Sequence, residues 1–129
     1  RATLRTFANV DMAKLTQAGE QKAQEIAQKY QLSISIDYTE QFAATVNDAQ
    51  SVKVIQQVAE NNGLSVTTMK QPNKWSEDFG QFIAHFPGAL FGLGSGEHHP
   101  QLHNPDYDFP DELIATGLKM FWGIIEELL

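Results

Sequence analysis

The apolar residues of this chain change their spacing from one stretch to the next, and that change constrains the fold more than any single residue does. Leu32, Ile34, Ile36 and Tyr38 alternate with Ser33, Ser35 and Asp37. A period of two belongs to a strand with one covered face and one wet face. Just before it, Met12, Leu15, Ala18, Ile26 and Tyr30 recur at helical spacing, with Ala23 and Ala27 between them. Lys14, Gln17, Gln21, Gln24 and Gln28 fill the opposite face of that helix. Thr3 to Phe7 reads as a short strand, with Leu4 on one side and Arg5 and Phe7 on the other. Asn9 or Asp11 can cap the helix, which runs to about Tyr30. Residues 1–40 therefore read as a β-α-β unit.

The same switching of period continues. Asn47 can open a helix in a capping-box arrangement with Gln50, and Val52, Ile55, Val58 and Ala59 form its apolar stripe. Asn62-Gly63 ends it, because glycine tolerates the left-handed conformation after a helix. Leu64, Val66 and Thr68 suggest a strand. Ser76 reads as the cap of a third helix, with Glu77 and Asp78 in the first turn and Phe79, Phe82, Ile83 and Phe86 on one face. Pro87-Gly88 makes a turn. Ala89 to Leu93 is short and apolar throughout, as a strand buried on both faces is. Gly94 to Pro110 has no periodicity and carries His98, His99 and His103, three of the four histidines. From Pro110 to Leu128 the apolar residues cover more than half of a helix, which should be largely buried. The order β-α-β-α-β-α-β-α predicts an α/β fold with helices covering a sheet.

Composition narrows the function classes. With 129 residues the chain is one domain or two small pieces, large enough for a core. Nine Lys and Arg against sixteen Asp and Glu give a net charge of −7, which speaks against nucleic acid and against anionic membrane as partners. The absence of cysteine excludes disulfides, thiolate metal ligands and cysteine nucleophiles. No apolar run approaches the roughly 18 residues of a membrane span. The acidic charge and missing cysteine fit a cytoplasmic protein. The chain begins Arg1-Ala2-Thr3 without a methionine, as a processed protein or a fragment would.

Several clusters invite chemistry, and each has a plainer reading. His98-His99-Pro100-Gln101-Leu102-His103 can aim imidazoles at a metal, yet one loop does not supply four donors, and a polar surface loop accounts for it equally. Asp106, Asp108, Asp111 and Glu112 match no calcium-loop spacing and serve as capping chemistry. Gly92-Leu93-Gly94-Ser95-Gly96 lacks the lysine and helix start of a phosphate loop. Arg5 is either a solvated edge residue or a rigid fork for a carboxylate.

The ordered set of motifs says more than any one of them. It runs Thr3-Leu4-Arg5-Thr6-Phe7, Thr45-Val46-Asn47-Asp48, Ser76-Glu77-Asp78-Phe79, Pro87-Gly88-Ala89 with Gly92-Leu93-Gly94, Leu102-His103-Asn104-Pro105, and Phe109-Pro110-Asp111-Glu112 with Gly117. This order resembles the C-terminal part of the metal-dependent amidohydrolases: hippurate hydrolase, N-acyl-amino-acid amidohydrolases and indole-acetyl-amino-acid hydrolases. These belong with the aminoacylase and glutamate-carboxypeptidase metallopeptidases, and the resemblance covers essentially the whole chain.

The resemblance implies a definite architecture. Residues 1–42 correspond to the second half of a ferredoxin-like lid, or dimerisation, domain. Residues 43–129 correspond to the C-terminal α/β portion of a two-metal catalytic domain, with a hinge near Phe42 to Asn47. It also implies roles. His103 matches the family's C-terminal metal-ligand histidine. Ser76, Glu77 and Asp78 match the segment lining the active-site floor, and Arg5 matches a lid arginine that holds the substrate's carboxylate; His98 and His99 match no family ligand. In the family, two divalent ions (Zn, Mn, Ni or Co) polarise the amide carbonyl and acidify a bridging water, whose proton a glutamate takes. The other ligands and that glutamate have no match in this chain, so it is expected to be inactive alone and to need self-association or a complementing N-terminal portion. The alternative is a stand-alone binding or interaction domain that kept the fold without the chemistry; a small metal module on His98, His99 and His103 comes third.

Overall fold

A computed structural model describes residues 1–73 and 77–129. Among the described residues four helices form: α1 (Asn9–Lys29), α2 (Ala49–Asn61), α3 (Phe79–Ile83) and α4 (Glu112–Leu128). They fall into two compact units. One comprises Arg1–Val46 and Met69–Phe86, the other Asn47–Thr68 and Pro87–Leu129.

The first unit is built around α1. The helix starts one residue earlier than its capping residues predict: Ala8 is the cap, and neither Asn9 nor Asp11 caps it. The Asn9 side chain is engaged elsewhere, its Oδ1 accepting from the Ala44 N–H at 2.7 Å. At the other end Gln31 turns left-handed at φ 55°, and the Leu32 and Gln31 N–H groups donate to the Ala27 and Gln28 carbonyls. That is a Schellman ending, usually made with glycine. Beyond it the extended chain folds back, and the Tyr38 hydroxyl donates to Glu20 at 2.7 Å. This bond to the Glu20 carboxylate, with some desolvation, raises the Tyr38 phenol above its ordinary value. Of the α1 stripe only Ala27 is buried; Leu15 and Ile26 are exposed.

The second unit contains a core. α2 packs on α4 through Val58, Ala59 and Met120, with Val54, Ile55, Leu64, Phe91, Leu93 and Ile124 around them. The helices come close because Gly123 has no side chain: a Cβ there would lie 2.6 Å from Val58 Cγ1. Phe91 and Phe121 stack tilted, with ring centroids 5.9 Å apart. The cap of α2 is Asp48, not Asn47 as the capping-box reading predicts. Asp48 Oδ2 accepts from the Ser51 N–H at 2.8 Å and from its hydroxyl at 3.0 Å. Asn47 instead spends its amide on the backbone of Leu90, donating to the carbonyl at 2.8 Å and accepting from the N–H at 2.9 Å. The predicted ending of α2 is present, with Gly63 at φ 68° and the Leu64 N–H on the Ala59 carbonyl.

Two expectations are corrected. The strands predicted at 3–7, 32–38, 64–68 and 89–93 run without a ladder, and no strand forms among the described residues. A strand exists only when a neighbour satisfies its N–H and C=O groups sideways. In a split β-α-β unit the two strands joined by the helix leave a place between them for a third, and the described residues supply none. Leu32 (62% exposed), Ile34 (46%) and Ile36 (39%) accordingly face solvent. The β-α-β half-lid is therefore not formed as such. Nor is α4 largely buried. Met120 is buried against α2, but Ile114, Leu118, Phe121, Trp122 and Ile125 stand exposed on its outer face. A helix that is apolar on both sides needs cover on both; α2 and the 89–93 segment cover one side of α4, and among the described residues the other side stands exposed.

Candidate functional site

The loop between the 89–93 segment and α4 is organised by three turns. The His99 N–H reaches the Gly96 carbonyl at 3.4 Å, the Asn104 N–H the Gln101 carbonyl at 3.0 Å, and the Tyr107 N–H the Asn104 carbonyl at 3.0 Å. The last two share Asn104. The second of them, Asn104-Pro105-Asp106-Tyr107, has proline where a type I turn favours it. In the first, Gln101-Leu102-His103-Asn104, His103 sits at the third position with φ 73°. A positive φ there is the mark of a type II turn, a place normally given to glycine or asparagine. An imidazole thus occupies a backbone position that disfavours side chains, at a cost of roughly 1–2 kcal/mol. Such strain clusters at functional sites, although Gln31 at φ 55° and Glu40 at φ 53° carry it as well. His103 is solvent-exposed.

Around His103 only a few loop residues are shielded. His99, Pro100 and Tyr107 are half-buried. The His99 ring meets the Tyr107 ring edge-on, with centroids 5.2 Å apart, and its Nδ1 donates to the Pro100 carbonyl at 3.1 Å. His98 is exposed.

The other expected site residues belong to the first unit. Arg5 lies on the extended segment before α1 and is exposed. Glu77 and Asp78 are exposed and lead into α3, where Asp78 occupies the cap position without a side-chain capping bond. Ser76 lies outside the described residues. α3 itself is held by Gly80, which is buried and approaches the Ala43 carbonyl so closely that a Cβ would collide with it. Gln81 Nε2 donates to the Gln41 carbonyl at 3.3 Å. Arg5, Glu77 and Asp78 thus share one compact unit, and His103 belongs to the other.

Among the described residues no three His, Cys, Asp or Glu side chains come together in a way that could hold a metal ion. His103 can contribute one donor; a two-metal set does not assemble from the described residues. The neighbouring carboxylates Asp106, Asp108 and Asp111 add no cluster to it.

Several positioning residues carry no signal in the sequence. Asn47 beside Asp48 offers two equivalent caps, and only packing decides which one turns to Leu90. The His99–Tyr107 contact spans eight residues of aperiodic loop. Gly80 follows a phenylalanine in an apolar helix, where its close approach to Ala43 leaves no trace.

Comparison with known proteins agrees with the order of motifs. Residues 6–127 match the model of Peptidase family M20/M25/M40. A probable hydrolase of Synechocystis sp. is 31% identical over 123 residues, which cover 90% of this chain and 31% of that protein. Among N-acetyldiaminopimelate deacetylases, that of Lactobacillus helveticus is 23% identical over 95% of this chain and 32% of its own length. The one from Bacillus licheniformis is 27% identical over 92% of this chain and 31% of its own. The chain thus spans about a third of the length of these relatives. No solved structure matches it. None of these relatives is named for hippurate or indole-acetyl-amino-acid hydrolysis. With the match running through nearly the whole sequence, the chain belongs to Peptidase family M20/M25/M40.

Proposed function

We propose that this chain is the C-terminal portion of a metal-dependent amidohydrolase that hydrolyses the amide bond of N-acyl amino acids. The observation that carries the proposal is His103: a histidine in the Leu102-His103-Asn104-Pro105 setting, held at φ 73° in a turn that glycine would fill with less strain. The relatives named as N-acetyldiaminopimelate deacetylases support an acylated amino acid as the substrate class. In this reading His103 supplies one imidazole donor to a divalent-ion pair (Zn, Mn, Ni or Co) whose other ligands lie outside the chain. Arg5 holds the substrate carboxylate, and Ser76, Glu77 and Asp78 line the floor. Residues 1–42 form the second half of the lid and 43–129 the end of the catalytic domain. Cytoplasmic residence belongs to the same reading.

The chain alone is then inactive, and its partner is a complementing N-terminal portion of the same fold, in preference to a second copy. Two features support that choice. The relatives contain about two-thirds of their length without a counterpart here. The unpaired segments 32–38 and 89–93 need strand neighbours, and the outer face of α4 needs apolar cover. A second reading, a binding domain that kept the fold without the chemistry, draws on the lack of a metal group among the described residues.

One experiment decides between them. The chain is combined with a polypeptide carrying the N-terminal portion of its own parent protein, and hydrolysis of N-acetyl amino acids and bound metal are followed together. The hydrolase reading expects no turnover from the chain alone, turnover from the pair, and loss of both turnover and stoichiometric metal in His103→Ala. Arg5→Lys should mainly raise KM for carboxylate-bearing substrates, because the bidentate fork is lost. Full metal content in His103→Ala removes the reading.

A further inference from the structure

We infer that His99 and Tyr107 form an aromatic staple that closes the loop 99–107 and holds His103 in its left-handed turn, so that both are positioning residues for His103. The inference rests on the reading of His103 as a ligand, but its geometry does not. The loop is aperiodic and mostly exposed, and its few half-buried residues are the two staple rings and Pro100 between them, with Pro110 where α4 begins. A compact loop whose ends meet and whose own side chains fill it behaves as a unit. Here the ends meet at the rings, edge to face at 5.2 Å. The His99 Nδ1–H bond to the Pro100 carbonyl fixes the ring's rotation. Inside the staple the two turns share Asn104, and their N–H bonds at 3.0 Å leave little freedom between residues 101 and 107.

A histidine at φ 73° does not stay there by its own preference, since the right-handed and extended regions are open to it in a free loop. Its own ring gives no help, because it is exposed. What holds it is the closure of the loop at its base. His99 matches no ligand of the family and is shielded by Tyr107, so its imidazole acts through packing. The Tyr107 hydroxyl has no part in this; the ring does the work. Tyr107→Phe should therefore preserve the arrangement, and Tyr107→Ala should release it.

The test uses the full 129-residue chain in solution without metal. Nuclear magnetic resonance reads amide exchange at Asn104 and Tyr107 and the strong intraresidue N–H to Hα cross-peak that a positive φ gives His103. Tyr107→Ala and His99→Ala are each expected to speed exchange at both amides by roughly tenfold, about the value of one aromatic pair. The His103 cross-peak should weaken in both. α2 and α4 amides should stay as protected as in the parent chain, and Tyr107→Phe should restore the parent pattern. Unchanged exchange in Tyr107→Ala, or a Tyr107→Phe variant as open as Tyr107→Ala, overturns the staple. These readouts need no ion, so their failure leaves the role of His103 standing. A loop that opens as expected, in a protein whose His103→Ala variant keeps its full metal content once complemented, supports the staple and removes the ligand reading.

Discussion

The two compact units are made of similar material and end differently. The second unit sets two helices face to face and buries Val58, Ala59 and Met120 between them. The first holds the longest helix of the chain, 21 residues, and buries only Ala27 of it. Its order comes from single tethers: Tyr38 on Glu20, Asn9 on the Ala44 backbone, Gln81 on the Gln41 backbone. The apolar spacing of α1 gives it an inward face, but nothing in that spacing supplies the surface it faces. Helical periodicity specifies an element; only the rest of a fold specifies its cover.

The sharpest way to break this contrast is to delete a side chain on each side of it. Met120→Ala should cost about 3 kcal/mol, as large-to-small changes in a closed core do. Ile26→Ala on α1 should cost less than about 1 kcal/mol, because Ile26 is 46% exposed and its removal opens no cavity. Denaturant titration of both variants checks the pair. A cost at Ile26 equal to that at Met120 would mean that the first unit has a core of its own.

Two glycines give the next effect. Gly80 faces the carbonyl of Ala43, and Gly123 faces the side chain of Val58. An added methyl group can push a side chain aside more easily than a backbone. Gly80→Ala should therefore cost about 2–3 kcal/mol and Gly123→Ala about 1 kcal/mol, both as overpacking. Thermal melts of the two variants rank them, and the reverse ranking would show that the 41–44 segment yields.

Much of this was legible in the sequence. The existence and type of all four helices follow from spacing, and the end of α2 follows from Asn62-Gly63. The order of weak motifs, from Thr3-Leu4-Arg5-Thr6-Phe7 to Phe109-Pro110-Asp111-Glu112 with Gly117, points to the family that the comparisons identify. What was not legible is anything that needs a partner. Ile34 and Ile36 alternate as a strand does, and the described residues offer no strand to pair with. Neighbouring polar side chains compete at the helix starts: Asn9 bonds to Ala44 and Asn47 to Leu90, so the caps are Ala8, where the sequence offers Asn9 or Asp11, and Asp48, where it offers Asn47. The face of α4 that meets α2 and the face that meets solvent are equally apolar in sequence, so burial could not be divided between them.

Left-handed residues sharpen the contrast at smaller scale. α1 and α2 end in the same hydrogen-bond pattern, with Gln31 in one and Gly63 in the other. Gln31→Gly should stabilise the chain by up to about 1 kcal/mol, and Gly63→Ala should destabilise it by a similar amount. His103→Gly should be at least as stable as the parent chain and about 1 kcal/mol more stable than His103→Ala, which keeps a Cβ at φ 73°. Calorimetry of the four variants reads these differences. A parent chain clearly more stable than His103→Gly would mean that the imidazole serves the fold rather than a ligand.

The smallest effect lies at the start of α2. Bonds from the Ser51 N–H and hydroxyl hold the Asp48 carboxyl below its ordinary value near 3.8. A carboxylate depressed in the folded state contributes stability that is fully present above its unfolded value. That contribution is lost as pH falls through the lower folded value. Asp48→Asn keeps an acceptor for the Ser51 N–H, since asparagine caps as well as aspartate, but has no proton to take up. Near neutral pH the two proteins should melt within a degree or two of each other. Below pH 4 the parent chain should lose stability more steeply than Asp48→Asn, and the difference should fade in high salt only to the extent that the helix dipole shares in it. Parallel melting curves across pH 3 to 7 would show that the Ser51 bonds favour neither protonation state and that the cap works through its geometry alone.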